Sequence, residues 1–277
     1  MRGCTVALRY NGVSEECTGA WVEKTSAPFS QAGSVAVTDP VRERVVLFNS
    51  EGPWVWNGHW AKSITAAPNI LLPSFTFDST RSVFVAVGVT PDQSKYETWE
   101  WDGVASTFTK KSSTGPLPGD GHAIAYDPVR NQTVLFGGVQ FSGVTWLWSG
   151  AAWSSPTVSG PPARAGHSMV YEPIGQRIIL AGGSRAGIFF DDTWAWNGSA
   201  WTRIVDHVPT ELGAGTIVSM AYDPNHGGVV APTVSGTWLL TGTQWSKLDD
   251  TSIRGALAYD PVGKSLFSYS NSTAWWF

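Results

Sequence analysis

Two histidines share one local setting, Gly121-His122 and Gly166-His167, and Arg164 sits just ahead of the second in Pro161-Pro162-Ala163-Arg164. Imidazole is the side chain whose ordinary pKa lets it exchange protons near neutrality. His122 or His167 as acid or base, with Arg164 as electrostatic stabiliser, would suit a metal-independent hydrolase or lyase. The competing reading is structural: a recurring imidazole that ties the start of a strand to a backbone carbonyl, and an arginine that serves either as an anion clamp or in a salt bridge. His59, His207 and His226 share no such position, so neither a zinc or copper site nor a cofactor is expected. The sequence has no Gly-x-Ser-x-Gly elbow, no His-Glu-x-x-His and no glycine-rich phosphate loop. Asp191-Asp192 and Asp249-Asp250 are adjacent pairs, which on a strand point to opposite faces; a glycosidase pair formed between distant segments is not visible in spacing.

The second kind of chemistry on offer is aromatic. Sixteen tryptophans invite a sugar-stacking role, yet all of them fall at recurring positions. Pairs spaced i, i+2 (Trp54/Trp56, Trp99/Trp101, Trp146/Trp148, Trp194/Trp196) put both rings on one face of a strand, where packing is their expected work. Aromatic and charged residues outside the recurring positions are better binding candidates: Tyr96, Phe141, Phe189 and Phe190, with Asp120, Arg164, Arg185 and Arg254.

The elements that must position these residues repeat along the chain. In the clearest copy, Tyr126 to Trp153, a short strand ends at Asp127-Pro128, where proline presets a type I turn. The β-branched run Thr133-Val134-Leu135-Phe136 then closes at Gly137-Gly138. A third strand carries Trp146 and Trp148, and Ser149-Gly150 turns it into a fourth bearing Trp153. The Asp-Pro marker returns at residues 39, 127, 223 and 260, with Asp78-Ser79 and Glu172-Pro173 as variants, and the third-strand tryptophans recur every 37 to 48 residues. Six four-stranded units at that period predict an all-β, six-bladed β-propeller in one domain spanning 1–277. The expected blades are about 33–60, 73–108, 121–153, 166–201, 215–245 and 255–277.

The last unit lacks a fourth strand, and residues 20–24 offer a spare one in which Trp21 matches Trp153, Trp201 and Trp245. The N-terminal strand is therefore expected to complete the last blade and remove two open edges. Residues 1–19 are left as an additional strand or hairpin. They hold Cys4 and Cys17, which fit either a disulfide staple in an oxidising compartment or two unpaired thiols.

The ordered motifs resemble the Kelch-repeat family, in its bacterial tryptophan-rich form similar to the galactose oxidase propeller. They are a small residue and His at the strand start, Tyr-Asp-Pro-x-Arg, a β-run into Gly-Gly, and Thr-Trp-x-Trp-x-Gly-x-x-Trp. The resemblance covers residues 20 to 277. The sequence departs from it where Asn49-Ser50, Gly88-Val89 and Tyr269-Ser270 replace the double glycine. Copper chemistry of the galactose oxidase kind would need a cysteine placed to modify a tyrosine, and both cysteines lie in the closing segment, so that activity is not expected.

Alternating strand direction puts the Asp-Pro and Asn-Gly turns on one face of the disc and the more variable connections on the other. The latter include Gly88–Glu97 and Gly183–Asp192, read as long loops. Function usually sits on loops held by a rigid scaffold, and the resemblance implies binding on the same variable face. That face would carry Tyr96, Phe141, Arg185, Phe189 and Phe190, with Asp120, His122, Arg164, His167 and Arg254 nearer the axis. A rigid recognition module for a protein segment or glycan is the first reading, and the hydrolase or lyase in the axial pocket of that face the second. Ile188-Phe189-Phe190 is either an exposed contact surface or a lid folded over the rim.

Composition bounds the partners. Hydrophobic residues make up 42%, charged residues only 14%, and the net charge is -4. Clustered Lys and Arg for nucleic acid or an anionic membrane are missing, and the longest apolar runs are too short to cross a bilayer. A monomer is expected. Low charge, many tryptophans and the cysteine pair lean toward a secreted, periplasmic or surface setting, although no leader stands at Met1. Sequons at Asn131, Asn197 and Asn271 matter only in a glycosylating host.

Overall fold

The computed structural model describes residues 21–26, 34–117, 119–139, 143–215, 217–253, 255–270 and 273–277. Six antiparallel sheets form a six-bladed β-propeller. Blade I comprises Val35–Asp39, Arg44–Asn49, Gly52–Trp56 and Trp60–Lys62, and blade II comprises Leu71–Asp78, Val83–Val89, Tyr96–Asp102 and Thr107–Ser112. Blade III runs through Ala123–Asp127, Gln132–Phe136, Trp146–Trp148 and Trp153–Ser154. Blade IV contains Ala165–Glu172, Arg177–Arg185, Thr193–Trp196 and Trp201–Val205, with the short Ile188–Phe189 folded back on its second strand. Blade V is Ala221–Asp223, Gly228–Thr233, Gly236–Thr241 and Gln244–Asp249.

Blade VI joins the two ends of the described chain. Ala256–Asp260, Ser265–Ser270 and Thr273–Trp276 are completed by Val22–Ser26, with Val22 opposite Trp276 and Ser26 opposite Thr273. Ring closure by the N-terminal strand is thus as the sequence predicts, two residues further along. Trp21 donates from its indole Nε1 to Thr237 Oγ1 of blade V at 2.8 Å. The same link recurs as Trp153 to Thr98, Trp201 to Thr145 and Trp245 to Thr193, each from the fourth strand of one blade to the third strand of the blade before or, for Thr145, to the residue leading into it. The borrowed strand therefore makes the same interblade bond as its native counterparts. Cys4, Cys17 and the N-terminal hairpin lie outside the described residues.

The second strands read as continuous apolar runs because both of their faces are covered by neighbouring blades. Val45 and Leu47 pack toward blade VI, whereas Val46 and Phe48 pack toward blade II. Ile178 and Leu180 face blade III while Ile179 and Ala181 face blade V. Period-two alternation is present, but it sorts side chains between two buried interfaces instead of between core and water.

One turn design holds the inner hairpins. The carboxylates of Asp39, Asp78, Asp127, Glu172, Asp223 and Asp260 each accept backbone N–H bonds from the turn that follows. The residue closing each turn is left-handed: Glu43, Ser82, Asn131, Gln176, Gly227 and Lys264. This is a type I turn followed by one αL residue, a common hairpin closure. The turn cations then reach the next blade, Arg44 to the Gly103 carbonyl, Arg130 to Gln176 and Arg177 to Gly242. These bonds confirm that the Asp-Pro and Xaa-Gly turns share one face.

On the opposite face two expected loops are hairpins. Gly88 pairs with Glu97, leaving only residues 90–95 as a connection, and Ser184 pairs with Phe189. Hydrogen bonding continued past the apolar core because Thr90, Asp92 and Ser94 close a tight polar turn of their own.

Candidate functional site

The sequence-predicted residues of blades III and IV converge at the variable face, where the start of one blade's inner strand crosses the Gly-Gly corner of its neighbour. Gly138 N donates to the Arg164 carbonyl at 2.9 Å, and Gly166 N to the Gly121 carbonyl at 2.8 Å. Gly137 adopts a φ of 74°, and a Cβ there would lie 2.4 Å from the Arg164 carbonyl oxygen. The corner needs glycine for both conformation and space.

Arg164 takes the structural alternative. It is fully buried, and its Nη1 and Nη2 donate to the two carboxylate oxygens of Asp192 at 2.7 and 3.1 Å. Nε and Nη1 also donate to the carbonyls of Pro162 and Gly182, and Phe190 stacks on the guanidinium at 4.0 Å. Trp194 Nε1 completes the set on Asp192 at 2.7 Å. With four of its five N–H groups placed, two of them on Asp192, the guanidinium forms a closed unit whose anion is internal.

His122 and His167 are both buried. His122 Nδ1 lies 2.9 Å from the Gly119 carbonyl, which places the proton on Nδ1, while Nε2 makes no well-formed hydrogen bond although the Val87 carbonyl lies close. Burial pushes the His122 pKa below its ordinary value. His167 has neither ring nitrogen hydrogen-bonded, although the Phe136 carbonyl lies close, and its ring stands edge-on to Phe136. Burial first, then the charge of Arg164 and the proximity of His122, push His167 down to about 3. Both imidazoles are neutral at physiological pH and shielded from solvent.

Tyr96 is half-buried, edge-on to His122 at 5.9 Å, with its phenol pKa raised by burial and by Asp120. Asp120 and Arg185 are exposed. Phe141 and Arg254 lie outside the described residues. The Ile188-Phe189-Phe190 triplet splits: Phe190 covers Arg164, whereas Ile188 and Phe189 are 66% and 61% exposed at a hairpin tip. That hairpin is tied to the connection leading into blade V, since Gly215 N donates to the Phe190 carbonyl at 2.8 Å and Phe189 lies over the bare Cα of Gly215.

A second concavity was not foreseen. An axial cavity of about 570 Å³ runs from the middle of the disc to the Asp-Pro turns. Its outer ring is Tyr126, Tyr171, Tyr222 and Tyr259 with Phe77 and Thr38, one residue per blade. Prolines 40, 128, 173, 224 and 261, with Ser79, form its mouth. The signal was present in the sequence as a tyrosine before four of the six turn markers.

No known family profile matches this sequence, and no curated protein matches it. Solved structures do match in shape. A structure of YjhT aligns with a TM-score of 0.65 at 11% identity, covering 90% of this chain and 94% of that one. An auxiliary nutrient binding protein from Bacteroides ovatus ATCC 8483 aligns at 0.62 with 10% identity, over 87% of this chain and 68% of its own. The nidogen/laminin complex aligns at 0.53 with 11% identity, over 86% and 84%. At these identities the likeness is one of fold: the chain is a six-bladed β-propeller.

Among the described residues no group of three or more His, Cys, Asp or Glu side chains is arranged to hold a metal ion. No helix there is long and apolar enough to cross a membrane.

Proposed function

We propose that this chain is a Kelch-type recognition module that binds a protein segment on its variable face, centred on the Ile188–Phe189 hairpin. The propeller fold is compatible with a binding module. The observation that carries the choice of face is the hairpin tip: two large apolar side chains stand exposed on a hairpin that is anchored by hydrogen bonds at its base. Exposed apolar pairs on an ordered support are the usual anchors of protein recognition. Val139, Val144 and Val218 are exposed on the same face and extend the apolar surface across blades III to V. A glycan site would instead combine an aromatic face with convergent free polar groups, and Arg164 with Asp192, the strongest such pair, is closed on itself.

The hydrolase or lyase reading has less support, because its proton carriers His122 and His167 are buried, neutral and out of reach of solvent. Assignment to the Kelch type rests on the repeat motifs, with the Tyr-Asp-Pro-x-Arg turn and the Gly-Gly corner of blade III in their expected places.

The test is a selection from a random peptide library on immobilised protein, run beside a glycan array, with Ile188→Ser/Phe189→Ser as the control. Selected peptides carrying apolar side chains should bind the unmodified protein and lose at least about 30-fold in affinity on the variant, the loss of one strong anchor. Peptides that bind both proteins equally, or glycan hits alone, would overturn the proposal.

A further inference from the structure

We infer that the axial cavity on the Asp-Pro face is a second ligand site, independent of the variable face, for a neutral ring-bearing small molecule that carries a hydrogen-bond acceptor at its outer end. The volume of about 570 Å³ lies within the range of small-molecule sites. Among the described residues no charged side chain lines it, so an ionised group carried inside would lose its hydration with no partner to replace it. The inner wall is Phe75, Ile124, Met169, Met220 and Leu257, an apolar surface with two pliable methionines.

Apart from Thr76 one position further in, polarity lies at the outer ring and the mouth, and there it is uneven. Tyr126 donates its hydroxyl to Thr80 Oγ1 at 2.7 Å, and Asn225 lies close to the hydroxyl of Tyr259. The hydroxyls of Tyr171 and Tyr222, on adjacent blades, make no hydrogen bond among the described residues. Burial and neighbouring carboxylates keep both phenols protonated, so they stand as neutral donors. An acceptor oxygen on the ligand would satisfy them.

The electrostatics of the rim favour the same class. Four of the six turn carboxylates pair with an Arg and Asp223 meets His226, whereas among the described residues Asp260 accepts only from backbone N–H groups and the indoles of Trp56 and Trp276. An anion approaching this face meets that uncompensated charge. Val41, Val129, Ile174 and Val262 are exposed around the mouth and extend the apolar path outward.

The probe is 6-propionyl-2-dimethylaminonaphthalene, a neutral naphthalene with one ketone acceptor whose emission reports both polarity and hydrogen bonding. Titrated against the full chain, it should bind saturably with a 1:1 end point and a blue-shifted emission. Anilinonaphthalene sulfonate, of similar ring size but anionic, should bind at least tenfold more weakly. Tyr171→Phe/Tyr222→Phe keeps the aromatic walls and should weaken the neutral probe about five- to tenfold while shifting its emission further to the blue. Met169→Trp should block the cavity and abolish saturable binding, and its unfolding transition checks that the propeller is intact. Ile188→Ser/Phe189→Ser should leave the probe unaffected, which separates this site from the one on the variable face. Non-saturable emission, equal binding of the anionic probe, indifference to Tyr171→Phe/Tyr222→Phe, or displacement by phenyltrimethylammonium in preference to neutral ring compounds would overturn the inference.

Discussion

Replacing Asp192 by Asn tests whether Arg164 is a structural clamp or an anion site in waiting. The two side chains are 0% and 9% exposed, so neither charge is relieved by water. In the native pair both carboxylate oxygens accept from donors: Oδ1 from Arg164 Nη1, Oδ2 from Arg164 Nη2 and the Trp194 indole. An asparagine amide presents one oxygen and one NH2, so whichever way it turns a donor meets a donor, and the guanidinium keeps its charge without a counter-charge. Breaking a buried pair from one side costs about 3–5 kcal/mol. At roughly 2–4 °C per kcal/mol for a domain near this size, the thermal midpoint should fall by about 6–20 °C. Urea unfolding of the native protein, Asp192→Asn, Arg164→Met and the double variant gives the coupling directly. Because the two groups share their hydrogen bonds, the double variant should be about 2 kcal/mol more stable than the sum of the single losses requires. A loss under about 1 kcal/mol for Asp192→Asn, or strict additivity, would refute the clamp. So would a gain of sulfate binding by a stably folded Asp192→Asn protein, since that would show a guanidinium free to receive an external anion.

Two further outcomes follow from the same geometry. Thr145→Val should cost about 1–3 kcal/mol by leaving the buried Trp201 indole N–H without its 2.8 Å acceptor, whereas Thr145→Ser should not; equal urea midpoints for the two variants would remove the interblade bond from the account. Stability should also fall with acid in a way that depends on His167. Its folded pKa of about 3 is below the unfolded value of 6.5, so the unfolded chain takes up the proton first. The contribution is complete above about pH 6.5 and is lost as pH falls toward 3, at about 1.4 kcal/mol per pH unit. His167→Leu should flatten urea-derived stability between pH 6 and 4 by that slope, and an unchanged profile would contradict burial of a neutral imidazole.

Most of the architecture was legible because it is written in local chemistry. The Asp-Pro turn and the Xaa-Gly turn fix which strands pair, and the doubly covered second strands announce themselves as unbroken apolar runs such as Val45 to Phe48. The Gly88–Glu97 and Gly183–Asp192 connections are shorter than their sequences suggest, since a strand continues past its core wherever a short turn can close it. Arg164 with Asp192 was out of reach for a different reason: its partners lie on either side of two strands, and no spacing rule joins them. His122 and His167 were placed correctly near the inner strands, but their neutrality depends on how much of the neighbouring blade covers them.

The axial cavity is invisible to any division of the sequence into recurring residues as scaffold and private residues as function. In a closed ring that division fails. A residue repeated once per blade is brought by the symmetry to one annulus, so Tyr126, Tyr171, Tyr222 and Tyr259 are both the mark of the repeat and the wall of a shared site. The departures then give the annulus its direction: Thr38 and Phe77 interrupt the tyrosines, Thr80 accepts the Tyr126 hydroxyl and Asn225 lies beside that of Tyr259, while Tyr171 and Tyr222 between them make no hydroxyl hydrogen bond among the described residues. The same face is stitched from blade to blade by Arg44, Arg130 and Arg177. A cavity whose walls are tied in this way loses little conformational freedom when it is filled, so affinity there is set mainly by desolvation and the two hydroxyls. On the variable face, recognition instead falls to one hairpin that departs from the repeat. The two faces therefore divide the work differently, and only the second follows the rule that function resides where a repeat is broken.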